Sequence, residues 1–236
     1  WGSGPGFGVA RDGAHAEYFV MPSGWVSRKP PQLSMAQAAA IGVPYLTAWS
    51  ALVTAGKIQA GETVIVTGVS GEVGRAATQI AHWKKARVMG ASRSTDNPSA
   101  ADAVIDTTRQ DLAGEVKALT DGEGAHLALD VVGGALFAPC LQALRRGGRQ
   151  VVIASNPQVV SFNLVDFYHG VKKLVGVDSM GLSGADIVVM LGQLRTGFEL
   201  GVLQPPAVKT WSFDQAVEAY EAVAKGGVPR KHVLMT

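Results

Sequence analysis

Between Val64 and Gly74 the chain reads Val64-Ile-Val-Thr-Gly68-Val-Ser-Gly71-Glu-Val-Gly74, then enters the alanine-rich stretch Arg75-Ala-Ala-Thr-Gln-Ile-Ala-His-Trp83. A β-branched run ends on a glycine. Two more glycines follow at three-residue spacing, and a helical pattern begins. This strand, tight turn and helix start are what a dinucleotide pyrophosphate requires. Glycine lets backbone approach phosphate with no Cβ in the way, and the helix N-terminus offers free N–H groups at the positive end of its dipole. Three glycines alone also fit a βα turn that binds nothing. The flanking strand and helix point to a phosphate site.

The chain alternates from there on. Strands are expected at Thr63–Thr67, Ala86–Ala91, Ala103–Asp106, Leu127–Val132, Gln150–Ala154 and Lys173–Asp178, with helices at Val73–Lys85, Gln110–Leu119 and Ala135–Arg146. Several strands are continuous apolar runs, as parallel strands covered on both faces should be. The pattern predicts an α/β fold, a doubly wound parallel sheet of the Rossmann kind. One crossover is short: nine residues, Ser94–Asp102, separate Arg93 from Ala103. A full helical crossover needs roughly 10–12 or more, so this helix is expected to be one turn or missing.

Outside the repeat, Ala16–Pro22 and Trp25–Lys29 read as short strands left over from a β domain. Ser34 is a candidate N-cap for a helix from Met35, Pro44 marks a break, and helical character resumes at Thr47. Ala185–Leu200 reads as a long helix with Ile187, Met190, Leu191 and Leu194 on one face. A helix at Phe213–Ala224 and a strand at His232–Met235 close the chain.

Composition narrows the function classes. The 236 residues are 47% hydrophobic and 17% charged, with a net charge of +2. No basic run argues for nucleic acid or an anionic membrane, and Lys84-Lys85 and Arg145-Arg146 are expected at helix ends. No uninterrupted apolar run reaches the roughly 18 residues of a membrane span. The single cysteine, Cys140, excludes an internal disulfide and a thiolate zinc cluster, and reads as a small buried helix residue. A cytoplasmic setting is expected. The five histidines are scattered, His82 reads as a surface or packing residue, and no metal ligand pair stands out. Gly68-Val-Ser70-Gly71 is not a serine nucleophile elbow.

Arg93 follows Gly74 by 19 positions, where NAD-binding units carry an acidic residue for the ribose hydroxyls. The local string is Ala91-Ser92-Arg93-Ser94. Arginine is planar and permanently charged, so it suits a 2′-phosphate and favours NADPH over NADH. The ends of the later strands, Asp106-Thr107, Val131-Val132-Gly133-Gly134 and Ala154-Ser155-Asn156, should face the same ligand. Asp130 reads equally as a buried structural carboxylate. Thr107 and Asn156 also suit turn or capping roles.

These strings, with Ala16-Glu-Tyr-Phe-Val, Thr47-Ala-Trp, Gly61-Glu-Thr, Ala101-Asp-Ala-Val-Ile-Asp106, Asp130-Val-Val-Gly-Gly134 and Gly147-Gly-Arg-Gln-Val, resemble the medium-chain dehydrogenase/reductase superfamily, in its zinc-independent quinone oxidoreductase (zeta-crystallin-like) branch. The resemblance covers essentially the whole chain. It implies that residues 1–44 end a GroES-like catalytic domain, 45–180 form the NADPH-binding Rossmann domain, and 181–236 return to the catalytic domain. The chain begins at Trp1, and the resemblance implies that roughly the first third of such a protein precedes it.

The resemblance places Thr47 near the nicotinamide amide and Ser70, Gly71, Glu72 and Val73 at the pyrophosphate. Arg93 falls at the 2′-phosphate with Ser92 beside it as a cofactor-binding residue, and Thr107, Val132, Gly133, Ser155, Asn156, Val177, Asp178 and Ser179 line the rest of the groove. Glu72 stands where the family usually has glycine and is expected to face solvent. Gly42-Val43-Pro44 lacks the zinc ligand of metal-dependent relatives, so no metal is expected. The implied activity is NADPH-dependent hydride transfer to a quinone or conjugated carbonyl, by a homodimer acting on a small molecule. A zinc-free enoyl or alkenal reductase, an alcohol dehydrogenase-like enzyme and a non-catalytic NADPH-binding sensor or structural protein are the alternatives. No proton donor is assigned, and Tyr45 is the outside candidate.

Overall fold

The computed structural model describes residues 1–94, 99–226 and 230–236. Two compact units result, one formed by 1–46 with 179–236 and the other by 47–178.

The second unit is the α/β layer. Its strands are β1 (Thr63–Thr67), β2 (Arg87–Ser92), β3 (Ala103–Asp106), β4 (Ala125–Asp130), β5 (Leu144–Val152) and β6 (Lys173–Gly176). They pair in the order β3-β2-β1-β4-β5-β6, every neighbour parallel. All five residues of β1 are buried, which is why its β-branched run shows no alternation. The helix Met35–Trp49 (α1) precedes the sheet, and α2 (Glu72–Trp83), α3 (Leu112–Ala118), α4 (Phe137–Gln142) and α5 (Leu164–His169) connect or flank its strands. The core includes Ile65, Met89, Val116, Ala128 and Leu141. The shortened-helix expectation for Ser94–Asp102 falls partly on residues 95–98, which lie outside the described residues.

Three expectations need correction. Pro44 does not break the first helix. Although it forfeits a backbone hydrogen bond, α1 runs through it, because Ile41, Tyr45, Leu46 and Trp49 bury the surrounding turns. A π-helical turn, Ser50–Ala55, extends the run. Met35–Ala55 is thereby long and apolar enough to cross a bilayer by length and composition, yet 67% of its most apolar window is buried within the protein. Second, the helix expected to reach Arg146 stops at Gln142. Arg145 and Arg146 belong to β5, where Leu144 pairs with Ala125 and the register then shifts, with Gly147 at a φ of +77°. Third, Ala16–Pro22 and Trp25–Lys29 form no strands. Tyr18 and Val20 are 89% and 90% exposed. Only an isolated bridge, Gly2 to Val26, is present there among the described residues, and an unpaired strand leaves its backbone groups unsatisfied.

The first unit is otherwise helical at its centre. Ser34 caps α1 through a reciprocal pair with Gln37 (3.1 and 2.9 Å). Ser183 caps α6 (Gly184–Glu199), which buries Ile187, Met190, Leu191 and Leu194. The helix α7 (Ala216–Lys225) connects the parallel strands β7 (Val208–Ser212) and β8 (Lys231–Met235). Val233 of β8 packs with Ala36 and Ala40 of α1.

At the N-terminal ends of the parallel strands, Arg149 closes the sheet. Its guanidinium grips the Glu62 carboxylate with both Nη atoms, at 2.6 and 2.9 Å, and donates to the carbonyls of Gly56, Lys57 and His126. Both side chains are under one-fifth exposed. Burial alone would raise the Glu62 carboxyl, but hydrogen bonds from Arg149 and the Gln59 N–H outweigh it and hold it below its ordinary value. The folded protein therefore binds this proton less tightly than the unfolded chain. The resulting stability is complete above the ordinary value of 4.5 and is lost as pH falls through the lower folded value. Arg149→Ala should cost about 2–4 kcal/mol, since it strands a largely buried carboxylate. Urea denaturation at pH 7 measures this loss. The gap between the parent and Glu62→Gln should stay constant above pH 4.5 and shrink below it.

Candidate functional site

The site grows from the point where the sheet reverses. From β1 the chain winds outward to β2 and β3, then returns to β4 on the other side of β1 and winds away through β5 and β6. The connections leaving β1 and β4 thus run in opposite directions, opening a crevice at their carboxyl ends.

The first wall is the glycine turn. Gly68 leaves β1 at a φ of +57°, a conformation that favours glycine. The Gly71 N–H donates to the Gly68 carbonyl (2.9 Å), and Arg75 Nε ties down the Ser70 carbonyl (2.8 Å). A Cβ on Gly74 would collide with the Gly68 carbonyl, so this glycine sets the close approach of helix to turn. The N-cap of α2 is Gly71, with no side-chain cap. Its first N–H groups therefore face outward, available to an anion.

The second wall follows β4. Gly133 takes a φ of +66°, and a Cβ there would lie 2.6 Å from Ser155 Cα. Ser155 Oγ donates to the Pro157 carbonyl (2.6 Å) and accepts from the Gly134 N–H (3.4 Å). The third wall is the end of β2. Thr107 donates to the Ser92 carbonyl (3.2 Å), and the Ser94 N–H donates to Ser92 Oγ (3.3 Å). The Arg93 side chain is left exposed, with no carboxylate paired to it among the described residues.

These walls enclose a groove of about 1020 Å³. Ser70, Gly71, Ser92, Arg93, Thr107, Val132, Gly133 and Asn156 line it, all named from the sequence. Thr47, Glu72, Val73, Ser155, Val177, Asp178 and Ser179 are not part of its lining. Thr47 is buried on α1, and Val73 offers backbone only, as the first turn of a helix does. Sequence reasoning missed Thr108, Ala135 and Leu136 as lining residues. The last two sit on a short turn that periodicity read as plain helix. Tyr45 is buried against Phe198, and its hydroxyl donates to the Gln204 carbonyl (2.5 Å), a packing role rather than a free proton donor. Cys140 is fully buried, and burial pushes its thiol well above the ordinary value, so it is no nucleophile.

The strand order and the glycine turn define a Rossmann-type nucleotide-binding unit. Comparison with known proteins sharpens that class. The sequence pattern of the zinc-binding dehydrogenase family matches residues 73–190, half of the chain. Human quinone oxidoreductase is 27% identical over 229 residues, covering 94% of this chain and 69% of the relative. The quinone oxidoreductase-like protein 2 homolog of Nematostella vectensis is 38% identical over 141 residues, 58% of this chain and 39% of its own. Among solved structures, AibC superposes with a TM-score of 0.86 at 30% identity, covering 97% of this chain and 64% of that one. The chain belongs to the medium-chain dehydrogenase/reductase family, in its quinone oxidoreductase-like group, and spans about two thirds of the length of such relatives. Members of this family are NAD(P)-dependent oxidoreductases. The zinc in the family's name finds no set of three His, Cys, Asp or Glu side chains among the described residues.

The residues present fit a dinucleotide: Gly68, Gly71 and Gly133 line the groove without side chains, and the start of α2 at the turn has no side-chain cap. Gly71 has an ordinary φ of −78° and is exposed; a Cβ there would lie 3.2 Å from the Gly68 carbonyl oxygen, which a shift of a few tenths of an ångström in that carbonyl relieves. Gly71→Val should remain folded by circular dichroism, yet lose calorimetrically detectable binding of NADPH and NADH alike. Near-parental affinity in a folded Gly71→Val protein would place the pyrophosphate elsewhere.

Proposed function

We propose that this chain is the cofactor-binding part of an NADPH-dependent oxidoreductase that reduces a quinone or conjugated carbonyl. The observation that carries the cofactor choice is Arg93. It stands exposed on the groove rim at the end of β2, flanked by Ser92, Ser94, Thr107 and Thr108. A 2′-phosphate needs a cation and hydroxyl donors at this place, whereas a 2′-hydroxyl calls for a carboxylate acceptor. The nearby Asp106 carboxylate is taken up by Thr108. The hydroxyl and N–H of that residue hold it below its ordinary value, with Arg109 beside it.

Bound in the groove, the nicotinamide supplies the hydride. The residues of this chain bind and orient. The glycine turn and the start of α2 hold the pyrophosphate, Arg93 selects the 2′-phosphate, and the Val132–Leu136 wall limits how the remainder can lie. The acceptor class rests on likeness to quinone oxidoreductases.

A charged hydrogen bond of this kind is worth about 1.5–3 kcal/mol. Arg93→Ala should therefore weaken NADPH binding roughly tenfold to a hundredfold and leave NADH almost unchanged, read by calorimetry. Equal losses for both cofactors would remove the 2′-phosphate assignment. Oxidation of NADPH by simple quinones tests the reaction, and binding without turnover would favour a sensor or structural role.

A further inference from the structure

Asp130, at the end of β4, is completely buried. Its Oδ1 accepts from Thr67 Oγ1 (2.9 Å), from the Gly133 N–H (2.8 Å) and from the Val132 N–H (3.2 Å). Its Oδ2 accepts from Gln150 Nε2 (3.2 Å). That same nitrogen donates to the Phe137 carbonyl (3.2 Å), so two acceptors fix which end of the Gln150 amide faces them. Thr67 Oγ1 in turn accepts the Val131 N–H (2.9 Å). No cation contacts the carboxylate among the described residues; the ties are all to neutral donors.

The partners of this one carboxylate are the residues from which the groove is hung. Thr67 immediately precedes Gly68, the first residue of the glycine turn. Val132 and Gly133 are groove wall themselves, and Phe137 follows Ala135 and Leu136, which also line it. Gln150 lies on the neighbouring strand β5. A carboxylate is the one side chain that accepts four such bonds without donating any. An asparagine would turn an N–H₂ toward either Gln150 or the loop.

We infer that Asp130 is a positioning residue for dinucleotide binding: it sets the spacing of the two walls at the β1–β4 switch point while itself touching no ligand. The inference rests on the groove being the cofactor site. Charge and position predict opposite signs, which makes the role separable. A buried negative charge beside a pyrophosphate repels it, so removing the charge alone would tighten binding of NADPH and NADH. Losing the tie between the walls weakens binding of both by the same factor, because the shared pyrophosphate and nicotinamide halves are affected and the Arg93 rim is not.

The test is calorimetry on Asp130→Asn, Thr67→Val and Thr67→Ser, with amide hydrogen exchange followed by NMR on the same proteins without cofactor. Asp130→Asn should weaken NADPH and NADH equally, by roughly tenfold or more. Thr67→Val should act in the same direction and Thr67→Ser should restore the parental affinity. Exchange should accelerate at Val132 and Gly133 while Ile65 and Leu129 keep their protection. Unchanged or tighter binding, or parental exchange at Val132 and Gly133, would overturn the inference. If Asp130→Asn does not fold, the threonine pair decides by the same readouts. Failure of the parent protein to bind either dinucleotide would instead remove the groove reading, with the exchange data still judging the tie.

Discussion

The reversal of winding between β1 and β4 is the constraint on which the α/β unit depends. Two adjacent parallel strands release their connections in opposite directions, so no backbone fills the space above them. Each chain end must turn sharply there, and each does so through a glycine at positive φ: Gly68 after β1 and Gly133 after β4. Side chains at these positions would be strained in the backbone, and at Gly133 the Cβ would also press on Ser155. The crevice is thus a by-product of topology, and its glycine lining follows from how the chain leaves the sheet.

The two ends of the sheet solve their electrostatics differently. At the amino ends of the strands, Glu62 and Arg149 form a bidentate ion pair, a geometry suited to guanidinium. Beside it, His126 accepts the Thr63 N–H on Nδ1. Burial first, then the charge of Arg145, lowers its tendency to take up a proton. The carboxyl ends of β1 and β4 instead bury Asp130, with only neutral donors on it among the described residues. The contrast suits the two tasks. The ion pair ties the residue before β1 to β5. Leaving cations out of the inner network keeps the positive ends of backbone dipoles, together with Arg93 at the rim, as the groove's attraction for an anion.

How far the sequence disclosed this varies by element for physical reasons. The strands Thr63–Thr67 and Ala103–Asp106 were legible to the residue: the first is a fully buried β-branched run, and the second, a half-buried edge strand, is a short apolar run bounded by turn residues. The glycine turn was legible because backbone freedom is written directly in residue type. Arg145 and Arg146 were misplaced because helical periodicity carried past Gln142, while the pairing of Leu144 with Ala125 is a long-range contact that no local pattern encodes. Ala16–Pro22 failed the other way: the strand propensity of Tyr18, Phe19 and Val20 is real, but propensity without a pairing partner does not make a strand. The wall residues Ala135 and Leu136 were invisible because nothing in their chemistry marks them. They line the groove because the short turn Gly134–Leu136 carries them there.

The start of α2 shows what the fold gives up at this site. Among the described residues, four α-helices begin on side chains that cap them: Ser34 on α1, Asp111 on α3, Asn163 on α5 and Ser183 on α6. The helix after the glycine turn begins on Gly71 and has no such cap. A serine or aspartate there would contribute about 1 kcal/mol to the helix, but it would occupy the space above the N–H groups, and aspartate would add a repelling charge. Under the proposed function the pyrophosphate is the missing cap. Binding and helix stability then become one quantity, and a saturating dinucleotide raises the resistance of this unit to unfolding through mass action on the folded state alone. The glycine that leaves α2 uncapped in the free protein is therefore the residue that couples its stability to the ligand.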